Sequence, residues 1–433
     1  MYREKFEDLI TWKNSKNKQP LIIRGARQVG KTWLMKEFGK TNYKNVAYVH
    51  FDNNSRMEEL FKGDLVPSKI IEGLQIETGI KIEPRETLII FDEIQEVPRA
   101  LTSLKYFQEE VPEYDIIAAG SLLGVALHNG TSFPVGKVQF LDLYPLNYKE
   151  FLKALGEEKL LQLLEKKDFE LIKVFKTKFI EILKQYYFVG GMPEVVNNFV
   201  QNKDYKEVRE IQNKILYSYE QDFSKHAPND IVPKLRLLWN NIPSQLAKEN
   251  KKFIYGLIRQ GARAREFELA MMWLIDCGLV YSVSRVSKPD LPLAAYQDFN
   301  SFKLFILDTG LLGTMTGINE KTLLEGNSIF TEFKGALTEQ FVLQQLKSMK
   351  DISIFYWSAE KSTAEIDFII QNENKIIPIE VKAEENLQAK SLKTFYEKYN
   401  NSNCIRTSMS DYREQGWLKN IPLYYINELL NLI

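Results

Sequence analysis

The chain has 433 residues, 44% hydrophobic and 12% aromatic, which excludes a disordered polymer and gives room for two to four domains. Lys plus Arg and Asp plus Glu number 57 each, so the net charge is zero and any nucleic-acid or membrane surface must be met by a local patch. Two distant cysteines, Cys277 and Cys404, exclude a disulfide framework, and His50, His128 and His226 are too scattered for a histidine-based metal site.

Residues 3–13 pattern as an amphipathic helix with Phe6, Leu9, Ile10 and Trp12 on its apolar positions. The N-terminal segment is charged throughout and lacks the apolar core of a signal peptide. No run reaches the ~18 apolar residues of a membrane span, so a cytoplasmic protein without a membrane partner is expected. Residues 21–23 then read as a short buried strand. After it, Gly25, Ala26, Arg27, Gln28, Val29, Gly30, Lys31 and Thr32 fit G-x-x-x-x-G-K-[ST]. Trp33, Leu34, Met35 and Phe38 follow at helical spacing. Between a strand and a helix, such a loop turns backbone N–H groups toward phosphate oxygens, and the helix offers its positive end to the anion. The stretch from Gly25 to Trp33 is therefore expected to bind ATP. Lys31 would reach the β- and γ-phosphates, and the Thr32 hydroxyl would ligate Mg²⁺.

A second strand is expected over 45–52, mainly helix over 60–78, and a strand over 87–93 that ends in two adjacent acids. Ligands of open α/β sheets bind where strands end, and this pair follows the loop by about 60 residues. Asp92 would hold the Mg²⁺ shell and Glu93 would polarise the attacking water; a strand end with two solvated acids is the plainer alternative. A helix over 101–110 and a buried strand over 114–120 come next. Ser121, just past that strand, either senses the γ-phosphate or caps a helix at 122–127. A last strand is expected over 138–143, ahead of Pro145. Strands alternating with helices give an α/β fold with a parallel sheet covered on both faces.

The loop, the DE pair and the GSLLG after the next strand resemble AAA-type P-loop ATPases. More narrowly, FPVGKVQFLDLYPLNYKEF and YFVGGMPEVV are similar to a large group of bacterial and archaeal AAA ATPases. That group carries a C-terminal domain of largely unknown function with a restriction-endonuclease-like fold. The resemblance spans nearly the whole chain and implies four parts. They are an ATPase domain over 1–150, a helical lid and connector over 151–224, a winged helix over 225–330 and a nuclease-like α/β domain over 331–433. The family usually has Arg where this chain has Lys137. Arg27 and Arg99 are candidates for an arginine finger or plain surface charges. Sites of this type are often completed by a neighbouring subunit, which implies a homo-oligomer.

Residues 151–184 read as helical, broken by Gly190-Gly191-Met192-Pro193, whose glycines are expected to be structural. A connector helix is expected over 204–223. Helices over 235–241, 244–248, 253–258 and 265–277, then strands over 280–286 and 303–307, suggest a winged helix. Lys248, Lys251, Lys252, Arg259, Arg263 and Arg265 form a local basic patch that would meet DNA phosphates. The expected recognition helix is itself largely apolar, which suits protein packing equally well.

In the last part, helix 331–349 carries Glu339, and a hairpin follows a strand over 353–357. Glu380 and Lys382 lie two apart on one strand and so share a face, near Asp367 on its partner. Carboxylates there can hold Mg²⁺ and Lys382 can position a water. The D-x₁₂-E-V-K spacing, with Glu339 upstream, resembles PD-(D/E)XK nucleases; Ile366 stands where the proline is usual. That resemblance implies Glu339, Asp367 and Glu380 as metal ligands and Lys382 as catalytic, with Gln388 and Lys390 in a fourth motif. A non-cleaving module of the same fold is the alternative. Residues 331–433 hold 12 Lys plus Arg against 14 Asp plus Glu, so this part alone is poorly charged to hold DNA. Two functions follow. One is an ATP-driven enzyme acting on DNA; the other is a nucleotide-controlled signalling or assembly switch working through protein contacts.

Overall fold

The computed structural model describes residues 1–121, 133–248, 252–322, 331–359, 364–385, 388–401 and 403–433. The capped segment expected at 122–127, His128 and Lys251 lie outside them. The chain divides into two units, one made of Tyr2–Tyr144 with Asp276–Leu279, the other of Met1, Pro145–Ile275 and Val280–Ile433.

The first unit begins with helix α1 (Lys5–Lys13), strand β1 (Leu21–Arg24) and helix α2 (Lys31–Asn42). It continues through β2 (Asn45–His50), α3 (Ser55–Leu60), α4 (Pro67–Thr78) and β3 (Thr87–Asp92). It closes with α5 (Pro98–Glu110), β4 (Asp115–Ala119) and β5 (Gln139–Asp142). All five strands pair in parallel in the order β2-β3-β4-β1-β5. β3 and β4 are buried along their whole length, as their continuous apolar runs require in a sheet covered on both faces. Alternate residues Ala47, Val49, Ile89, Phe91, Ile116 and Ala118 face one core, which α4 and α5 cover with Ile70, Leu74, Leu101, Leu104 and Phe107. The mainly helical stretch expected over 60–78 holds α4, which starts with Pro67 in its first turn after the chain leaves α3 at Leu60.

The second unit opens with α6 (Tyr148–Ala154), α7 (Glu158–Glu165), α8 (Phe169–Val174) and α9 (Lys176–Val189). The helical stretch expected over 151–184 is thus segmented. Gly156 at φ +78° ends the first piece, and the Asp168 carboxylate caps α8 by accepting from Leu171 N at 3.0 Å. Helices α10 (Pro193–Asn202), α11 (Tyr205–His226), α12 (Val232–Leu246) and α13 (Ala264–Asp276) follow. α12 replaces two expected helices and runs through Pro243; residues 253–258 form only a single 3₁₀ turn at Tyr255–Leu257.

Strands β6 (Val280–Val286) and β7 (Gln297–Ile306) form the expected antiparallel hairpin. Then come α14 (Thr309–Met315), α15 (Thr331–Ser348), β8 (Ile352–Ser358), β9 (Glu365–Asn372) and β10 (Lys375–Val381). The chain finishes with α16 (Lys390–Tyr399), β11 (Cys404–Ser408), β12 (Arg413–Gln415), β13 (Leu418–Pro422) and a 3₁₀ segment, Leu423–Leu432. The hairpin does not stand alone. β6 pairs in parallel with β8, giving one eight-stranded sheet in the order β12-β13-β11-β10-β9-β8-β6-β7. Strands expected to belong to two domains share one ladder.

The Gly190-Gly191 turn has a structural role. The Asp308 carboxylate is fully buried; its Oδ2 accepts from Gly191 N at 2.6 Å and Gln344 Nε2 at 3.0 Å, and its Oδ1 from Leu311 N at 3.0 Å. A Cβ on Gly191 would lie 2.1 Å from the Leu146 carbonyl oxygen. Burial raises the Asp308 pKa, against the pull of these donors. Asp308→Ala leaves several buried donors without an acceptor, at roughly 1–3 kcal/mol each. It should lower the denaturation midpoint of the full chain sharply, and Asp308→Asn should lower it less, as read by urea titration.

Candidate functional site

The loop after β1 has the backbone its glycines demand. Gly25 sits at φ +149°, and a Cβ there would meet the Leu143 carbonyl oxygen at 2.2 Å; Gly30, at φ +95°, is the N-cap of α2. Between them Gln28 holds φ +66°, an unusual conformation for a residue with a side chain. Lys31 is 5% exposed. Its ammonium donates to the carbonyls of Gly25 and Ala26 at 2.9 and 2.8 Å and to Ser121 Oγ at 3.2 Å. Burial depresses its pKa to about 8, while the charges of Glu93 and Asp92 pull the other way. Ala26 and Val29 are buried, whereas Trp33 is 40% exposed.

The acid pair ends β3. Thr32 Oγ1 donates to Asp92 Oδ2 at 2.7 Å, bringing the expected magnesium hydroxyl and carboxylate together. Glu93 adopts a left-handed backbone at φ +53°. Its Oε1 accepts from Ser121 Oγ at 3.0 Å, and its Oε2 from Gln95 Nε2 at 2.7 Å and Ser121 N at 3.3 Å. Burial pushes the Glu93 carboxyl up, but Gln95, Lys31 and Ser121 outweigh it and hold it below the usual carboxylate range. Strand order explains this convergence. β4 lies between β1 and β3, so Ser121 emerges between the loop and the acids. Lys31, Thr32, Asp92, Glu93 and Ser121 are thus joined by direct hydrogen bonds, and together they can hold a triphosphate, a divalent cation and a water.

Three participants had escaped the sequence. Tyr48, on β2, donates its hydroxyl to Asp92 Oδ2 at 2.9 Å; burial, then the carboxylate, raises its pKa. Arg3, 3% exposed, clamps the loop by donating to the carbonyls of Val29 at 2.7 Å and Tyr144 at 2.5 Å. Gln95 holds Glu93. The polar tyrosine inside the NVAYVH strand was the one legible hint. Arg99 donates to the Phe61 and Gly63 carbonyls at 2.7 Å, a loop-bracing role, and Lys137 pairs with Glu109 at 3.0 Å.

In the second unit, β9 and β10 form the expected hairpin. Asp367 Oδ2 accepts from Val381 N at 2.7 Å. Glu380, 4% exposed, binds Lys382 Nζ at 2.7 Å and lies in register with buried Arg406 on β11. Lys303, on β7, has an ammonium 2.5 Å from Glu365 and 4.0 Å from Glu339, with the Tyr356 ring centroid 4.8 Å away. It is 0% exposed, and although burial opposes it, the charges of Glu339, Glu365 and Asp367 raise its pKa. Its signal was a lone lysine in the apolar run FKLFIL. Among the described residues no three His, Cys, Asp or Glu side chains form a group able to hold a metal ion. Gln388 precedes α16, and Lys390 opens it.

The patch near α13 is partly neutralised, since Arg259 pairs with Glu266 at 2.6 Å. α13 buries Phe267, Ala270, Met271, Trp273 and Leu274 but leaves Leu269 65% and Met272 45% exposed.

Residues 17–152 match the family model described as an AAA domain, 180–322 match the domain of unknown function DUF8612, and 334–426 match the domain of unknown function DUF4143. The first unit therefore carries an AAA-type P-loop ATPase domain. The chain has no match among curated protein sequences. Among solved structures it is similar to the Walker-type ATPase Paby2304 of Pyrococcus abyssi. That likeness has a TM-score of 0.45 and 15% identity, over 73% of this chain and 95% of that one. The Aeropyrum pernix Orc1 protein in complex with DNA matches at TM-score 0.27 and 12% identity, over 73% and 93%. Cdc6p of Pyrobaculum aerophilum matches at 0.25 and 11%, over 74% and 93%. These likenesses are loose, and the ATPase assignment rests on the AAA match and the loop geometry. No helix among the described residues is long and apolar enough to cross a membrane.

Tyr48→Phe removes one hydrogen bond to a carboxylate. ATP turnover should fall about tenfold while ATP affinity changes little, as read by steady-state hydrolysis and nucleotide titration.

Proposed function

We propose that this chain binds ATP with Mg²⁺ and hydrolyses it, and that the nucleotide state controls surfaces of the second unit that contact other macromolecules. The observation that carries the first part is the continuous chain of hydrogen bonds Lys31–Ser121–Glu93, set beside Thr32–Asp92. The backbone N–H groups from Gly25 to Trp33 would wrap the phosphates. Lys31 would exchange two loop carbonyls for phosphate oxygens, a stronger charge-assisted contact. Thr32 and Asp92 fit a Mg²⁺ shell because both are oxygen donors already 2.7 Å apart. The ion would offset charge on the transferring phosphoryl group. Ser121 would follow the γ-phosphate while Glu93, released from it, orients water.

For the output, protein contact is the better supported reading, because α13 shows Leu269 and Met272 to solvent where a DNA reader would show donors. That makes the chain a nucleotide-controlled switch or assembly factor. Action on DNA, by binding, is the second reading, favoured by Lys252, Arg263 and Arg265 near the same helix. A further copy of the chain in a homo-oligomer would supply the arginine that Arg99, tied to two carbonyls, is badly placed to give.

Lys31→Ala should abolish ATP binding, and unchanged affinity would overturn the loop assignment. Glu93→Gln should keep binding and lose hydrolysis by about 100-fold or more; preserved turnover removes Glu93 from the water-orienting role. Arg263→Glu with Arg265→Glu separates the outputs. A salt-sensitive loss of DNA binding supports the second reading, whereas DNA binding absent from the wild type supports the first.

A further inference from the structure

The nuclease-like resemblance implies a divalent cation held by Glu339, Asp367 and Glu380, and the side chains as placed do not fit one. Each carboxylate has a cation or a donor beside it, although the buried Glu380 Oε2 has no hydrogen-bond partner. Asp367 accepts from the Val381 N–H, Glu380 holds Lys382, and Glu339 lies 4.0 Å from the Lys303 ammonium. No metal-holding group of three such side chains exists among the described residues.

We propose that Lys303 is the resident cation of this cluster, so that the second unit carries a metal-free ionic clasp rather than a metal-dependent cleaving site. Three observations bear on it. The Lys303 side chain is fully buried, and a buried ammonium persists only where anions answer it. Its closest contact is Glu365 at 2.5 Å, a residue outside the expected ligand set. Glu365 and Asp367 lie two apart on β9 and so share a face, while Glu339 comes from α15. Lysine on β7 therefore meets carboxylates from two other elements at one point. A divalent cation among the same carboxylates would sit against a fixed ammonium, and like charges at that range repel strongly. Lys382 and Arg406 add two more cations on the Glu380 side.

The clasp also has a mechanical consequence. β7 is the edge strand of the eight-stranded sheet, four positions from β10. An ion pair from β7 to β9 and α15 ties that edge to the sheet interior. The β6–β7 hairpin then moves with the C-terminal strands as one piece.

The test uses the full chain and Mn²⁺ as the probe, with binding followed by the electron paramagnetic resonance of free Mn²⁺. Asp92 and Thr32 are present in every variant, so any metal they bind cancels in the comparison and the outcome is independent of the ATP reading. Wild type and Asp367→Asn should give superimposable isotherms. An additional Mn²⁺ bound by wild type and lost in Asp367→Asn overturns the proposal, whatever the other variants do. Lys303→Met should gain a Mn²⁺ site that Asp367→Asn removes. If Lys303→Met instead unfolds, adding Glu365→Gln should recover folded protein, because it removes the uncompensated charge. A folded Lys303→Met chain with an unchanged melting midpoint and no new Mn²⁺ site also overturns it.

Discussion

Two lysines among the described residues are buried, and the oxygens that answer each one decide what it can do. An ammonium taken out of water must find acceptors. Lys31 finds two backbone carbonyls and a hydroxyl, all neutral, and its pKa falls to about 8. Its charge is solvated by dipoles but not cancelled by contact, so an arriving anion is a better partner than those it has. Lys303 finds carboxylates, and its pKa moves up instead. Its charge is cancelled where it stands. The same residue type at similar burial thus gives a ligand site in one place and a structural joint in the other.

The strand order of the first sheet brings the loop after β1 and the acid pair of β3 to one place. With β4 between β1 and β3, the end of β4 falls between the loop and the acid pair, and Ser121 bridges them. The left-handed backbone at Glu93 costs on the order of 1–3 kcal/mol for a non-glycine residue. Gln95 and both the hydroxyl and the N–H of Ser121 hold the side chain against that strain. Glu93 is therefore tethered in a way that depends on where Ser121 and Lys31 direct their hydrogen bonds.

What could be read from the sequence follows the range of the interactions. The loop and its flanking strand and helix are one local run, and the acids sit at the end of a continuous apolar strand, so both were legible. The alternation of strands and helices gave the parallel sheet for the same reason. Arg3, Tyr48 and Lys303 act across 26, 44 and 62 residues respectively, and no local pattern marks such partners. The joining of β6 to β8 is likewise a parallel pairing between strands some 70 residues apart, invisible to hairpin signals that act through short turns. The tyrosine in NVAYVH and the lone lysine in FKLFIL were the exceptions, since a polar or charged group inside an apolar strand requires a partner somewhere.

The interior of the second unit also limits what its surface can do. The buried face of α15 is rich in glutamine because those amides satisfy backbone groups at the end of β7 and just after it. Gln340 pairs with both the N–H and the carbonyl of Ile306, and Gln344 accepts from Thr309 N. Asp308 locks the Gly190-Gly191 turn into the same network. With these groups bonded internally, much of the polar chemistry of the interior goes to holding the fold. The chemistry left for a partner lies on the outside, where Leu269 and Met272 lie exposed on α13. An exposed pair of large apolar residues on one helix face is worth more to a protein interface than to a phosphate backbone. The neutral net charge points the same way, since it supplies no long-range field to gather nucleic acid.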